Sequence, residues 1–201
     1  DYALNRGDPA SMKRALQMTA EAAARASKIT QSLLSFAERD TGQKDLADLT
    51  EVLLTFTHLT EKPAQEKHIE LRLDIDPVPI VPVESARMHQ VLGNLLSNAE
   101  DAMPNGGILT LGIRQVGNEV HLTFADTGCG VKPEQLPLIF EPFFTTKGLL
   151  AGGDQANPGL GLSVVHGIIV EMGGRIDVES EVGKGTKFTI ALPIPNTSHT
   201  D

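Results

Sequence analysis

Tryptophan is absent from these 201 residues, tyrosine occurs once and cysteine once. A single cysteine, Cys129, closes no internal disulfide and excludes a zinc site built from cysteines, so a reducing compartment is expected. Few rings are on hand for base stacking, and 17 Lys and Arg against 26 Asp and Glu give a formal charge of -9. That balance argues against a nucleic-acid surface as the main business of the chain. No run reaches the roughly 18 apolar residues that a membrane helix needs, and Asp1 to Arg6 carries no hydrophobic signal region. A soluble, cytoplasmic chain is therefore expected. Its opening without Met fits a fragment of a longer parent, membrane-anchored or not. Hydrophobic residues at 40% and charged residues at 21% suffice for a core and exclude disorder throughout.

Asp8 and Pro9 can start a helix that nothing interrupts until Gly42. Met12, Leu16, Thr19, Ala23, Ala26, Thr30, Leu33 and Ala37 alternate spacings of four and three, the seam of a helical bundle. The predicted rod, Pro9 to Arg39, is about 45 Å long and needs other helices, either partner helices or the rest of this chain. Thr41 to Lys44 is the expected boundary. Beyond it the spacing predicts a helix from Leu46 to about Glu61, with Leu49, Val52, Leu53, Phe56 and Leu59 on one face and Pro63 ending or kinking it. Ile69 to Ile75 alternates as a strand, Pro77, Pro79 and Pro82 mark a loop, and Ser85 to Met103 is a helix. Strands at Ile108 to Val116 and Glu119 to Ala125 flank a Gly117-Asn118 turn. A short helix near Pro133 to Phe140, a glycine-rich loop, a helix from Leu160 to Met172 and strands at Arg175 to Ser180 and Lys187 to Leu192 follow. This order predicts an α+β two-layer sandwich, helices on one face of a mixed sheet, preceded by one long helix.

Four short stretches carry the chemistry: Asn94 to Ala99, Asp126 to Gly130, Gly159 to Leu162, and Gly183 to Thr186. Each alone is weak, since paired glycines usually mark turns. On the helix from Ser85, residues Gln90, Asn94, Asn98 and Asp101 fall on one side, and that row is either solvated or faces a polar ligand. Asp126 ends a strand where Gly128 and Gly130 let the backbone approach a flat ligand. Between Lys147 and Pro158 neither helical nor strand periodicity appears, so the loop is either disordered or a mobile lid. Gly159 and Gly161 open the next helix with free backbone N–H groups. Gly183-Lys184-Gly185-Thr186 is no phosphate-binding P-loop, because Val178 stands where its first Gly belongs and Gly185 follows the Lys.

Taken together and in this order, with Phe140-Glu141-Pro142-Phe143-Phe144 between the second and third, these stretches resemble the N, G1, F, G2 and G3 boxes of histidine-kinase catalytic domains. Those domains share a superfamily with gyrase, a heat-shock chaperone and mismatch-repair ATPases. The resemblance implies that Asn98 holds Mg²⁺ against the ATP phosphates and that Asp126 accepts from the adenine amine, supported by Thr186. It places Asn94, Asp101, Gly128, Gly130, Phe140, Lys147, Gly159, Leu160, Gly161, Leu162 and Gly185 around the nucleotide, with an ATP lid over 147–158. Cys129 reads as a tolerated small residue rather than a redox sensor.

The family phosphorylates a histidine followed by Glu or Asp on the first dimerisation helix. None of His58, His68, His89, His121, His166 and His199 has that neighbour. The rod therefore resembles the second dimerisation helix alone. Residues 1–41 are expected to be that partial dimerisation region, 46–193 the ATP-binding domain and 194–201 a tail. The resemblance implies ATP and Mg²⁺ as ligands, γ-phosphoryl transfer to a histidine outside these residues, a homodimer, and a response-regulator receiver domain as partner. Phe143-Phe144-Thr145-Thr146-Lys147 points to nitrogen-regulator-like sensors. Two alternatives stay open: a hydrolysing ATPase of the superfamily, against which Asn94 offers no basic carboxylate, and an ATP-binding pseudokinase scaffold.

Overall fold

The computed structural model describes residues 11–20, 45–145 and 159–195. These fall into two compact units, one holding 11–20 and Thr145, the other the described parts of 42–144 and 159–195. Residues 11–20 form a helix, α1, on which Met12, Leu16 and Met18 are exposed and the Thr19 hydroxyl donates to the Ala15 carbonyl at 2.8 Å. The rest of the predicted rod, the boundary turn at 41–44 and the loop over 147–158 lie outside the described residues.

The second unit runs β1 (Leu46–Asp48), α2 (Leu49–Glu66), β2 (Ile69–Ile75), β3 (Pro82–Glu84), α3 (Ser85–Ala102), β4 (Gly107–Val116), β5 (Glu119–Asp126), α4 (Gly161–Glu171), β6 (Arg175–Glu181) and β7 (Gly185–Pro193). Its five-stranded sheet has the order β2-β4-β5-β7-β6, parallel at β2–β4 and antiparallel elsewhere. Alternation dictates the layers: Val120, Leu122 and Phe124 of β5 are buried while the residues between them are half-exposed. Leu111, Ile113, Phe188 and Ile190 join that buried face, against Val91, Leu92 and Leu95 of α3 and Val165 and Ile169 of α4. The expected two-layer sandwich is thus the observed one. No helix among the described residues is long and apolar enough to cross a membrane.

Three expectations are corrected. Leu46 starts a strand rather than a helix: β1 pairs with β3, which the prolines had suggested was a loop. The two are tied by Asp48, whose carboxylate accepts from Val81 N at 3.1 Å, and by Leu49 N to the Val81 carbonyl at 3.0 Å. Pro63 lies inside α2, which continues to Glu66, and Leu59 is exposed rather than buried. Both residues face solvent, so the Leu59 carbonyl that loses its intrahelical partner is left to water. The helix ends instead at Glu66, with Lys67 as its C-cap and His68 beyond it in the left-handed region at φ 59°. The predicted helix near Pro133 to Phe140 shrinks to one 3-10 turn, Leu136–Leu138.

Candidate nucleotide site

β5 delivers Asp126 to the end of the sheet, beyond the last core row. The side chain is buried, 9% exposed, and its Oδ1 accepts from Gly128 N at 2.8 Å and Thr186 N at 3.3 Å. Both of these bonds fall on Oδ1. Burial pushes the Asp126 carboxyl up from its ordinary value, and the backbone N–H donors of Gly128 and Thr186 only partly offset that. Thr186 of β7 stands opposite Asp126, and Ser180 of β6 stands opposite Thr186, so three strands each place one polar residue in a line.

Two glycines make this arrangement sterically feasible. A Cβ on Gly128 would meet Ala102 Cβ at 2.6 Å, and one on Gly185 would meet the Asp126 carbonyl at 1.9 Å. The backbone after β5 is therefore pressed against the end of α3, where Cys129 N donates to the Ala102 carbonyl at 3.0 Å. At the other end of the polar row, Asn94 lies beside the start of α4: a Cβ on Gly161 would sit 3.5 Å from Asn94 Oδ1. α4 has no side-chain cap, and its first intrahelical bond is Val164 N to Leu160 O, so the N–H groups of Gly161, Leu162 and Ser163 have no intrahelical acceptor.

α3 thus spans from the close approach of Gly128 at Ala102 to the uncapped start of α4 beside Asn94, about 12 Å for eight residues. Asn98 is midway. Its Nδ2 is the one buried side-chain polar atom without a hydrogen-bond partner among the described residues. A buried amide lacking a partner is costly unless a ligand completes it. Gln90 is half-buried and Asp101 exposed on the same row. Leu160 is buried and Leu162 packs on the core, while the Phe140 ring lies 5.5 Å from that of His166, bracing α4 beyond Gly161. Gly130 and Gly159 both take positive φ, 70° and 71°. Lys147 lies outside the described residues. Among the described residues no three His, Cys, Asp or Glu side chains gather as a metal site.

Ser180 and Val131 escaped the sequence reading. Ser180 Oγ accepts from Val131 N at 2.8 Å, donates to the Gly185 carbonyl at 2.9 Å and lies 2.9 Å from Thr186 Oγ1. The only sequence signal was the polar residue six positions before Thr186, unremarkable until the β6–β7 register is known.

The sequence and fold have known counterparts. The family model for histidine kinase-, DNA gyrase B- and HSP90-like ATPases matches residues 83–196, more than half of the chain. The chain belongs to this ATPase family. The sensor kinase CckA of Brucella abortus (strain 2308) is 40% identical, over 84% of this chain and 19% of the relative. The sensor histidine kinase ZraS of Escherichia coli (strain K12) is 33% identical, over 89% of this chain and 37% of its own length. The chain therefore spans well under half of either relative. Full-length ShkA in complex with AMPPNP is similar at a TM-score of 0.73 and 28% identity, over 91% of this chain and 38% of that one. The catalytic domain of histidine kinase ThkA matches at 0.63 and 29%, over 74% of this chain and 96% of that domain. The globular unit of this ATPase family member is a histidine-kinase-type, nucleotide-binding catalytic domain.

Proton linkage at Asp126 follows from its burial. Ionising this carboxyl costs more in the folded chain than in the unfolded one, so its contribution to the stability of the ligand-free fold falls as pH rises from the ordinary value of 3.8 through the raised one. A ligand that donates a hydrogen bond to Asp126 is held more tightly by the ionised carboxylate, so affinity for such a ligand is expected to fall as pH drops through the same raised value. Titrating affinity against pH in the native chain and in Asp126→Asn checks this. A dependence that survives in the variant would assign the effect to another group.

Proposed function

We propose that this chain binds Mg-ATP between α3, the loop after β5 and the start of α4, and serves a sensor histidine kinase that moves the γ-phosphoryl group to a histidine outside these residues. The observation that carries the reading is the position of the orphaned Asn98 amide, midway between the Asp126 loop and the uncapped N-terminus of α4. In that reading Asp126 and Thr186 receive the adenine amine, while Gly128, Gly130 and Gly185 let the backbone close on the ring. Gly159, Leu160, Gly161 and Leu162 aim backbone N–H groups at the phosphates. Asn94, Asn98 and Asp101 line the side between, Phe140 belongs to the stretch before the lid, and Lys147 opens the expected lid over 147–158.

The donor set fits Mg²⁺. Magnesium keeps most of its waters and takes few protein ligands beside substrate phosphates, so one amide oxygen, Asn98 Oδ1 with Asn94 near, suits it better than a carboxylate cage, while the unpartnered Asn98 Nδ2, a donor, would serve a phosphate oxygen rather than the ion. When bound, the ion neutralises charge on the phosphates. The chain's own work is positioning: α3 fixes the distance from base to phosphates, and the α4 dipole favours negative charge at its start. A hydrolytic role is disfavoured because Asn94, one turn before Asn98, has no basic carboxylate.

The α1 seam, with Leu16 exposed, supports association with a second copy through paired helices, and the receiver domain of a response regulator is the expected acceptor of the phosphoryl group. The nitrogen-regulator-like subgroup rests on the Phe143 to Lys147 segment, the domain limits on the sequence boundaries at 41 and 194, and a cytoplasmic site on the reducing environment expected for Cys129. The test is Asn98→Ala. ATP affinity measured with and without Mg²⁺ should lose most of its metal dependence, with the circular dichroism of the fold unchanged. Full metal dependence in the variant would refute the site.

A further inference from the structure

Ser180 has one proton and two lone pairs, and the structure uses all three. The Gly185 carbonyl can only accept, so the Ser180 proton goes there at 2.9 Å. Val131 N–H occupies one lone pair at 2.8 Å. The remaining contact, 2.9 Å to Thr186 Oγ1, must therefore carry the Thr186 proton toward Ser180. We infer that Ser180 is a positioning residue that sets base selectivity by orienting the Thr186 hydroxyl, so that Thr186 Oγ1 offers only lone pairs beside Asp126. This rests on the adenine reading of Asp126 and deepens it.

Two neighbouring acceptors, the Asp126 carboxylate and Thr186 Oγ1, complement an exocyclic amine and oppose a carbonyl at the same place on the base. Without Ser180 the Thr186 hydroxyl is free to turn and donate, which a 6-oxo purine accepts. Thr186 is 6% exposed, so bulk water competes poorly for that proton. The hydroxyl also joins the loop after β5, at Val131, to the first residue of β7, Gly185, which keeps these two segments at a fixed spacing.

Affinities of the 201-residue chain for Mg-ATP and Mg-ITP test the inference, because inosine differs from adenosine by a 6-oxo group in place of the amine. Ser180→Ala should reduce the ATP-to-ITP affinity ratio by about tenfold, chiefly by strengthening ITP relative to ATP, and Ser180→Thr should restore it. In a Thr186→Val background, which removes the shared hydroxyl, Ser180→Ala should leave the ratio unchanged. Equal weakening of both nucleotides by Ser180→Ala would overturn the inference and leave Ser180 a purely structural residue. Thr186→Val also probes the same lone pairs without touching Val131 or Gly185, so an unaltered ratio in that variant overturns the inference even if Ser180→Ala does not fold. Lack of ATP preference in the native chain would instead refute the adenine reading of Asp126, and the Ser180 role with it.

Discussion

Gly185→Ala is expected to destabilise the globular unit by at least about 3 kcal/mol, whereas Gly183→Ala, two residues earlier, should cost roughly 1 kcal/mol. Both glycines have positive φ, 120° and 81°, so both variants bear the left-handed penalty. They differ in surroundings. A Cβ at Gly183 meets nothing within 4 Å, while one at Gly185 falls 1.9 Å from the Asp126 carbonyl oxygen. That oxygen is backbone and cannot rotate away, so relief requires parting β5 from β7 at their paired end, Asp126 opposite Thr186. The melting temperature of Gly185→Ala should fall by roughly 6 to 12 °C, and ATP binding should go with it because Asp126 is displaced. Thermal unfolding of the two variants side by side decides the matter: a Gly185→Ala protein no less stable than Gly183→Ala would mean that the close approach is not a constraint.

Asp126→Asn should leave the fold intact and weaken ATP by about 1 to 3 kcal/mol, a loss of roughly five- to 150-fold. The reason lies in which oxygen is already in use. Oδ1 accepts from Gly128 N and Thr186 N, and an asparagine carbonyl can keep both bonds. Its NH₂ then occupies the Oδ2 position and presents donors where the adenine amine also donates. The same change should improve the fit of a 6-oxo purine, so calorimetry with ATP and GTP should show their affinities converging. Undiminished ATP preference in Asp126→Asn would place the base elsewhere.

Leucine at the centre of the sheet and glycine at its end play distinct parts in this chain. Leu111, fully buried on β4, could be exchanged for another large apolar residue with repacking. Gly128 and Gly185 could not, because what limits them is backbone against backbone or Ala102 rather than volume. The missing side chains of Gly128, just after β5, and Gly185, at the start of β7, are thus what let the backbones close together here, and the core beneath holds the strands in register.

The sequence by itself determined the elements whose signals are local. Period two over 69–75, the Gly117-Asn118 turn and the polar row at Gln90, Asn94, Asn98 and Asp101 each describe neighbours in the chain, and β2, the β4–β5 hairpin and α3 formed where those signals lay. The order of short polar and glycine stretches likewise pointed to the ATPase family before any contact was known. Tertiary structure decided what depends on residues far apart. β1 and β3 are three residues each, too short for periodicity to register, and exist only because Leu46 to Asp48 meets Pro82 to Glu84. Pro63 was tolerated because its lost bond faces water. The orphaned Asn98 amide and the Ser180 hydrogen bonds arise from packing and cross-strand register, and a hydroxyl's direction depends on which acceptors the fold brings within 3 Å, which no local pattern encodes.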